Sequence, residues 1–436
     1  MVEQISSLKT GVKYKDTPIG KIPVDWDITS ISRICKIRRG ASPRPIRDPA
    51  FFSKTGRGWI RISDVTSTYK HLKKTSQYLS EKGISRSVKV NPGDLIMSIC
   101  ATIGKPVIID IEACIHDGFV LFSHLSKQVD KDFLFYFLQK TEEKFAVQGQ
   151  IGTQGNLNTD IVKRTLLPFP PLTEQEKIAE ILTTVDEAIE KTTQTIAKTK
   201  ELKKGLMQKL FTRGIGHKKF KKTEIGEIPI DWEVKRLIDT ASNKKYSFTG
   251  GPFGSDLKED CYTDHGVRII QLQNIGDGEF LDNYKIFTSE GKANELRSCN
   301  IYSGDIIIAK MADPVARACI IPDIDDRYLM ASDGIRLSVN RTDCDVNFIL
   351  YAINSPYFRK NAERHGTGTT RLRIGLTVLK KLPIAIPPLK EQKKIAGILS
   401  MINNELEKES YHEEQLGYVK KGLMQVLLTG KLRVAV

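Results

Sequence analysis

Apolar residues recur at spacings of three, four or seven over two stretches of the chain. In the first, Ile178, Leu182, Val185, Ile189, Ile196, Leu206 and Leu210 make the series, and Thr192, Thr199 and Lys203 fill its remaining positions. In the second, Ile395, Leu399, Ile402, Leu406, Leu416, Leu423 and Leu427 keep the same phase, with Glu409, Glu413 and Lys420 as polar members. This is the period of an amphipathic helix, and the stripe is narrow enough for a coiled-coil seam with a polar middle. Two helices packed separately on their own domains would leave a related trace. The narrowness of the stripe and the equal lengths favour pairing of the two with each other. At ~1.5 Å per residue, about 40 residues make a rod of roughly 60 Å.

The two stretches are copies. The first opens Pro170-Pro171-Leu172-Thr173-Glu174-Gln175-Glu176-Lys177-Ile178-Ala179-Glu180-Ile181-Leu182, the second Pro387-Pro388-Leu389-Lys390-Glu391-Gln392-Lys393-Lys394-Ile395-Ala396-Gly397-Ile398-Leu399. They close on Lys203-Lys204-Gly205-Leu206-Met207-Gln208 and Lys420-Lys421-Gly422-Leu423-Met424-Gln425. A proline pair before a helical pattern marks a start, because proline lacks the N–H that a helix interior uses. Thr173 and Glu176 have the spacing of a capping box, which Lys390 removes from the second copy.

The duplication extends to the regions between. Ile19-Gly20-Lys21-Ile22-Pro23-Val24-Asp25-Trp26 returns as Ile225-Gly226-Glu227-Ile228-Pro229-Ile230-Asp231-Trp232. Its Trp and Ile positions read as anchors that dock the chain onto a core. Behind each lead-in lies a globular region, 14–168 and 220–385, with one skeleton. A Gly/Pro loop (38–45, against 249–255) precedes a β-like run (Trp59–Val65, against Val267–Leu272). A buried strand follows Gly93-Asp94 or Gly304-Asp305, and more strands follow Asp117-Gly118 or Asp333-Gly334. A helix comes next, about 131–147, with Phe133, Leu134, Phe137 and Leu138 on one face. Its counterpart carries Phe348, Ile349, Tyr351 and Ala352. A glycine-threonine loop ends each region. Each region is therefore α+β. The helices and lead-ins stayed alike while the interiors drifted, which suggests one shared partner and two different targets.

Charge sharpens this. The formal net charge is +15 over 436 residues, which points to a polyanionic partner. No stretch is apolar for the ~18 residues a membrane span needs. The residues after Met1 do not read as a secretory signal. Seven scattered cysteines without a C-x-x-C pair argue for a reducing cytoplasm and against both a disulfide scaffold and a structural zinc site.

Two P-P-L-x-E-Q-x-K-I-A-x-I-L segments, each behind a domain that begins I-G-x-I-P-x-D-W, resemble the DNA-specificity subunit of type I restriction–modification systems. The resemblance covers nearly the whole chain. It implies two target-recognition domains, each reading one half of a split sequence in double-stranded DNA. It implies two long helices pairing as an antiparallel coiled coil with an internal pseudo-two-fold, docking methyltransferase subunits (two of them) and, through the complex, restriction subunits. On that basis residues 1–168 are the N-terminal arm and first recognition domain, and 169–212 the central conserved helix. Residues 213–385 are the linker and second recognition domain, and 386–436 the distal conserved helix and tail. No cofactor is implied in this chain; S-adenosylmethionine, ATP and Mg belong to partner subunits. The helix length would act as a ruler, since one turn of B-DNA is roughly 34–36 Å.

Phosphate contacts need Lys and Arg, and base readout favours Arg, Asn, Gln and Lys. The candidates in the first domain are Arg38, Arg39, Arg44 and Arg47, in a loop that breaks regular structure, and Gln154 and Asn156 on the late glycine loop. In the second they are Lys244, Lys245, Gln271, Gln273, Asn274, Arg371 and Arg373. The run His217-Lys218-Lys219-Phe220-Lys221-Lys222 reads as a solvated linker, and Trp59, Tyr69 and Tyr78 as core. A Walker motif is missing, and Phe169-Pro170-Pro171-Leu172 does not match the Asp/Asn-Pro-Pro-Tyr/Phe of adenine methyltransferases. These absences favour a non-catalytic reader over a self-sufficient methyltransferase or nuclease. A coiled-coil adaptor without DNA binding is the other alternative.

Overall fold

The computed structural model describes residues 12–150, 157–368 and 371–435. They form two compact units. Unit 1 holds the chain up to Thr193 and again from Tyr411; unit 2 is Gln194–Ser410.

In unit 1 nine strands make two sheets: β1 Lys36–Arg39, β2 Phe52–Ile60, β3 His71–Leu72, β4 Gln77–Leu79, β5 Val88–Val90, β6 Leu95–Ser98, β7 Pro106–Ile109, β8 Ala113–Ile115 and β9 Phe119–Ser123. One sheet has the order β1-β9-β6-β7-β3, the other β4-β2-β8-β5. Alternation along β6 assigns the layers. Ile96 joins Ile60, Val90 and Ile115 between the sheets. Leu95 and Met97 point the other way, onto α1 (Lys131–Gln150) and the first turns of the long helix α2 (Leu172–Arg213). Helix α1 is buried through Phe133–Leu138, not on one face alone.

Unit 2 repeats the plan with β10 Phe248–Gly250, β11 Tyr262–Thr263, β12 Val267–Ile270, β13 Ile286–Thr288, β14 Asn300–Ile301, β15 Ile306–Ala309, β16 Ala318–Ile320, β17 Tyr328–Met330 and β18 Gly334–Leu337. The sheet orders are β10-β18-β15-β16 and β11-β13-β12-β17-β14. Ile306 and Ile308 face the helices, and Ile307 and Ala309 face the second sheet. The counterpart of α1 is broken into α3 (Val346–Ile353) and α4 (Pro356–Arg364). Ser355 caps the new start and Pro356 cannot continue the old helix.

The long helices α2 and α5 (Leu389–Leu427) are continuous, 42 and 39 residues, and they pair antiparallel within each unit. In unit 1, Ile178 and Leu182 share a core with Met424, Leu427 and Leu428. Val185 and Ile189 meet Leu416. In unit 2, Leu206, Met207 and Leu210 pack with Ile395, Ala396 and Leu399. The first turns of each helix also sit in the core of the adjoining domain, so pairing and docking coexist. Ile196 is buried as expected of a seam position. Leu206, Ile402, Leu406 and Leu423 are only half-buried, and Met207 and Met424 fill the seam at the repeated Lys-Lys-Gly-Leu-Met phrase.

Two local expectations change. Thr173 does not cap α2. The helix already begins at Leu172, and the Pro171 carbonyl accepts from the Glu174 and Gln175 N–H groups. The β-like runs end early. Beyond Ile60 the chain turns into a short helix, Ile62–Thr66, and beyond Ile270 into a 3-10 turn, Leu272–Asn274.

Candidate nucleic-acid interface

The duplicated motifs meet in space. The indole N–H of Trp26 donates to Glu174 at 2.9 Å, and that of Trp232 donates to Glu391 at 3.0 Å. The neighbouring glutamines clamp the helix that covers each sheet. Gln175 donates to the Pro170 and Gln128 carbonyls and accepts from the Asp130 N–H. Gln392 does the same with Pro387, Asp343 and Asp345. The third partner differs between units. Arg433 grips Glu174 at 2.6 and 2.8 Å and also reaches Asp25. His217 lies 2.9 and 3.0 Å from the two Glu391 oxygens. The basic run at 217–222 is thus not a loose linker: His217 is inserted, and Phe220–Thr223 is a strand paired with Gly226–Pro229.

A second shared feature lies where the recognition residues were expected. Strand β2 ends at Ile60 and β12 at Ile270, and both run straight into a capped turn. The Asp64 carboxylate accepts from the Arg61 N–H at 2.9 Å, and the Asn274 amide oxygen accepts from the Gln271 N–H at 3.0 Å. Position by position, Arg61 and Ser63 stand where unit 2 has Gln271 and Gln273. Lys105, held by the Thr66 carbonyl, stands where unit 2 has Arg317, held by the Leu272 carbonyl. In unit 2 this turn lines an open cleft of about 980 Å³ with Gln271, Gln273, Arg317, Asp333 and Arg371.

Each site contains the aspartate of an Asp-Gly turn. Asp333 takes Arg373 at 2.8 Å. Asp117 accepts from Ser42 at 2.5 Å and from Arg44 at 3.2 Å, and its backbone carbonyl accepts from Arg39 at 2.7 Å. Burial alone would raise the Asp117 carboxyl. The Ser42 and backbone hydrogen bonds and the nearby Arg44 outweigh it and hold the group below its ordinary value. His116 beside it is pushed down to about 4, by burial first and by the charge of Arg61 second. It stacks edge-on with Phe119 at 4.7 Å and accepts the Gly118 N–H, so it stays neutral.

The sequence candidates divide accordingly. Gln271, Gln273 and Arg371 converge on the unit 2 cleft, and Arg373 is tied to its Asp333. Arg44 and Arg47 are exposed on the Gly/Pro loop. Arg38 and Arg39 are exposed too, but they belong to strand β1, paired with β9, rather than to the loop. Lys244 and Lys245 are exposed in a turn just before β10. Asn274 is a correction: it is fully buried, and its amide donates to the Leu281 and Tyr284 carbonyls, so it builds the turn and offers a ligand nothing. Gln154 and Asn156 lie outside the described residues. Arg61, Ser63, Lys105 and Arg317, at matching positions around the two turns, are not among the sequence candidates. Overlaying the two halves at Ile60-Arg61 and Ile270-Gln271 would have found the first two.

Trp59 is core, but Tyr69 is not. Its hydroxyl donates to Asp186 at 2.7 Å within a buried polar network of unit 1. Asp186 also accepts from Tyr136 at 2.8 Å and pairs with Lys420 at 2.8 Å. Lys70 joins through Asp132 at 2.8 Å and Thr183 at 3.1 Å. Burial lowers the Lys420 pKa, and the charge of Asp186 opposes this. Tyr69 and Tyr136 are raised, by burial and then by Asp186. In unit 2 the matching contact is neutral: Tyr351 meets Ser400 at 3.0 Å and Asn403 at 3.0 Å.

Among the described residues no three of His, Cys, Asp or Glu converge as a metal site, and no helix is long and apolar enough to cross a membrane. The family model described as "Type I restriction modification DNA specificity domain" matches twice, over residues 23–201 and 218–414. Two proteins of Methanocaldococcus jannaschii are 30% identical to the chain. One is the type I restriction enzyme MjaVIII specificity subunit, covering 95% of this chain and 94% of its own. The other is the putative MjaX specificity subunit, covering 97% of each. Two solved structures share the fold: a chain of a type I R-M system, at TM-score 0.58, 17% identity and coverage of 94% and 99%, and the type I S subunit from M. genitalium, at 0.57, 15%, 96% and 99%.

Proposed function

The chain belongs to the type I restriction–modification DNA specificity family, and from that premise we propose that it selects the DNA sequence on which a multisubunit methylation and restriction complex acts. Each recognition domain, within 1–168 and 213–385, reads one half of a bipartite target in double-stranded DNA. The helices, within 169–212 and 386–436, dock two methyltransferase subunits and set the unread spacer. Restriction subunits join through the complex.

One observation carries this reading. A single scaffold, capped turn plus Asp-Gly turn, is built twice with different side chains at matching positions. Arg61, Ser63 and Lys105 occupy them in unit 1, and Gln271, Gln273 and Arg317 in unit 2. Arg and Gln are the side chains that make bidentate contacts to guanine and adenine edges in the major groove. Two such sets on one scaffold suit two different half-sites.

The chain itself is the non-catalytic part of the assembly. S-adenosylmethionine, ATP and Mg act in the partner subunits, and the complex works in the cytoplasm. The test is adenine-methylation mapping in cells that express the chain with its methyltransferase partner. A split motif with a fixed spacer, lost on deletion of this chain, is the expected result. A methylome indifferent to the chain although the complex forms would overturn the reading.

A further inference from the structure

The loop that leaves the first sheet strand is built alike in both units. It starts at Gly40 in unit 1, where a Cβ would stand 2.0 Å from the His116 carbonyl oxygen. It starts at Gly251 in unit 2, where a Cβ would stand 1.9 Å from the Ala331 carbonyl oxygen. Only glycine lets the chain lie this close to the backbone that enters the Asp-Gly turn. Each loop then sends an apolar side chain into solvent. Phe253 is 82% exposed, more than any other large apolar side chain among the described residues, and Ile46 is 41% exposed.

The loop that carries Phe253 is anchored. The Gly251 N–H donates to the Gly334 carbonyl at 2.9 Å, and the Asp256 N–H donates to the Phe253 carbonyl at 2.9 Å. Leu257, just beyond, is buried and lines the cleft that holds Gln271, Gln273 and Arg371. The loop that carries the ring therefore borders the proposed reading site. The segment after it carries Asp256, Glu259 and Asp260 against Lys258, so it gains nothing from phosphates. What it offers a duplex is the ring, and the apolar surface a duplex offers in return is the base stack. Apolar side chains that enter a base step unstack it and kink the helix.

We propose that Phe253 is a wedge that enters the base stack at or beside the second half-site. This rests on the DNA-reading function proposed above. Part of the selectivity then comes from the cost of unstacking, which is lowest at pyrimidine–purine steps.

The test uses the full chain assembled with its methyltransferase partner. The probes are duplexes carrying the target found by methylation mapping, with 2-aminopurine in place of single adenines in and beside each half-site. 2-Aminopurine brightens when unstacked. The methylated adenine is left out, because the partner extrudes it for chemistry. The expected result is a severalfold rise at a position near the second half-site. Phe253→Ala abolishes it and weakens binding about tenfold, the scale of one base–aromatic stack; Phe253→Trp keeps it. No brightening at any position, or brightening unchanged by Phe253→Ala, overturns the wedge. So does a Phe253→Ala chain that binds DNA normally once assembled but assembles poorly, which would make the ring a protein contact. If the wild-type complex fails to bind the duplex at all, the DNA-reading function falls instead, so the two failures are distinct.

Discussion

Trp26 donates its indole N–H to Glu174, so the lead-in motif of the chain and the start of its first long helix are two sides of one contact. Trp232 and Glu391 repeat it. The contact explains why the two sequence phrases occur together: each Trp is buried against the carboxylate that opens the next conserved helix. The residue that completes the site is not repeated, and the difference predicts unequal energetics. Glu174→Ala leaves Arg433, a permanent cation with little exposure, with Asp25 as its remaining carboxylate and takes the acceptor from the Trp26 indole, and is expected to cost about 2–4 kcal/mol. Glu391→Ala takes the carboxylate from His217 and the acceptor from the Trp232 indole, and is expected to cost about 1–3 kcal/mol. Denaturant unfolding of the two variants checks the order.

The Asp186 network predicts strong coupling. Asp186→Asn leaves Lys420 and Lys70 buried with a single carboxylate between them and is expected to destabilise unit 1 by about 3–5 kcal/mol. Adding Lys420→Met should recover a large part of that loss. A double-mutant cycle on unfolding free energy reads the coupling, expected at about 1–3 kcal/mol.

His116 makes unit 1 sensitive to acid. Its folded pKa of about 4 lies below its ordinary 6.5, so between these values the unfolded chain binds a proton that the folded chain does not. Stability from this group is complete above pH 6.5 and is lost as pH falls toward 4. A shift of this size amounts to on the order of 3 kcal/mol. His116→Asn, which can still accept the Gly118 N–H as an Asx turn, should flatten unfolding free energy over that window.

The helices should behave as a ruler. One heptad inserted into each long helix adds about 10 Å of length, or roughly three base pairs at ~3.4 Å each. The methylation motif should keep both half-sites and gain a longer spacer. An unchanged spacer would remove the helices from that role.

The helices were legible because their signal is periodic and duplicated. Ile178, Leu182 and Val185, and their mates Ile395 and Leu399, are buried where the pattern puts them. Leu206 and Leu423 yielded to Met207 and Met424, because at the helix ends docking to a domain turns the buried face. The capping box at Thr173 failed because the chain enters the helix two residues earlier, with Pro171 at the cap. In the site, Gln271 and Gln273 could be chosen by type. Asn274 could not be told from them, since its side chain folds back onto the turn and only the hydrogen-bond partners reveal it. Arg61 was hidden for a related reason: it reads as a strand residue until the strand is seen to end at Ile60.

Each recognition domain is expected to read its own half-site through the residues around its capped turn. Methylome mapping with a Gln271→Ala, Gln273→Ala, Arg371→Ala chain, beside wild type in the same cells, tests it most directly. A bidentate base contact discriminates by about 1–3 kcal/mol, so the account predicts relaxed or altered bases in one half of the motif. The other half and the spacer should stay as they are. Loss of selectivity in both halves at once, or an unaltered motif at full methylation, would contradict it.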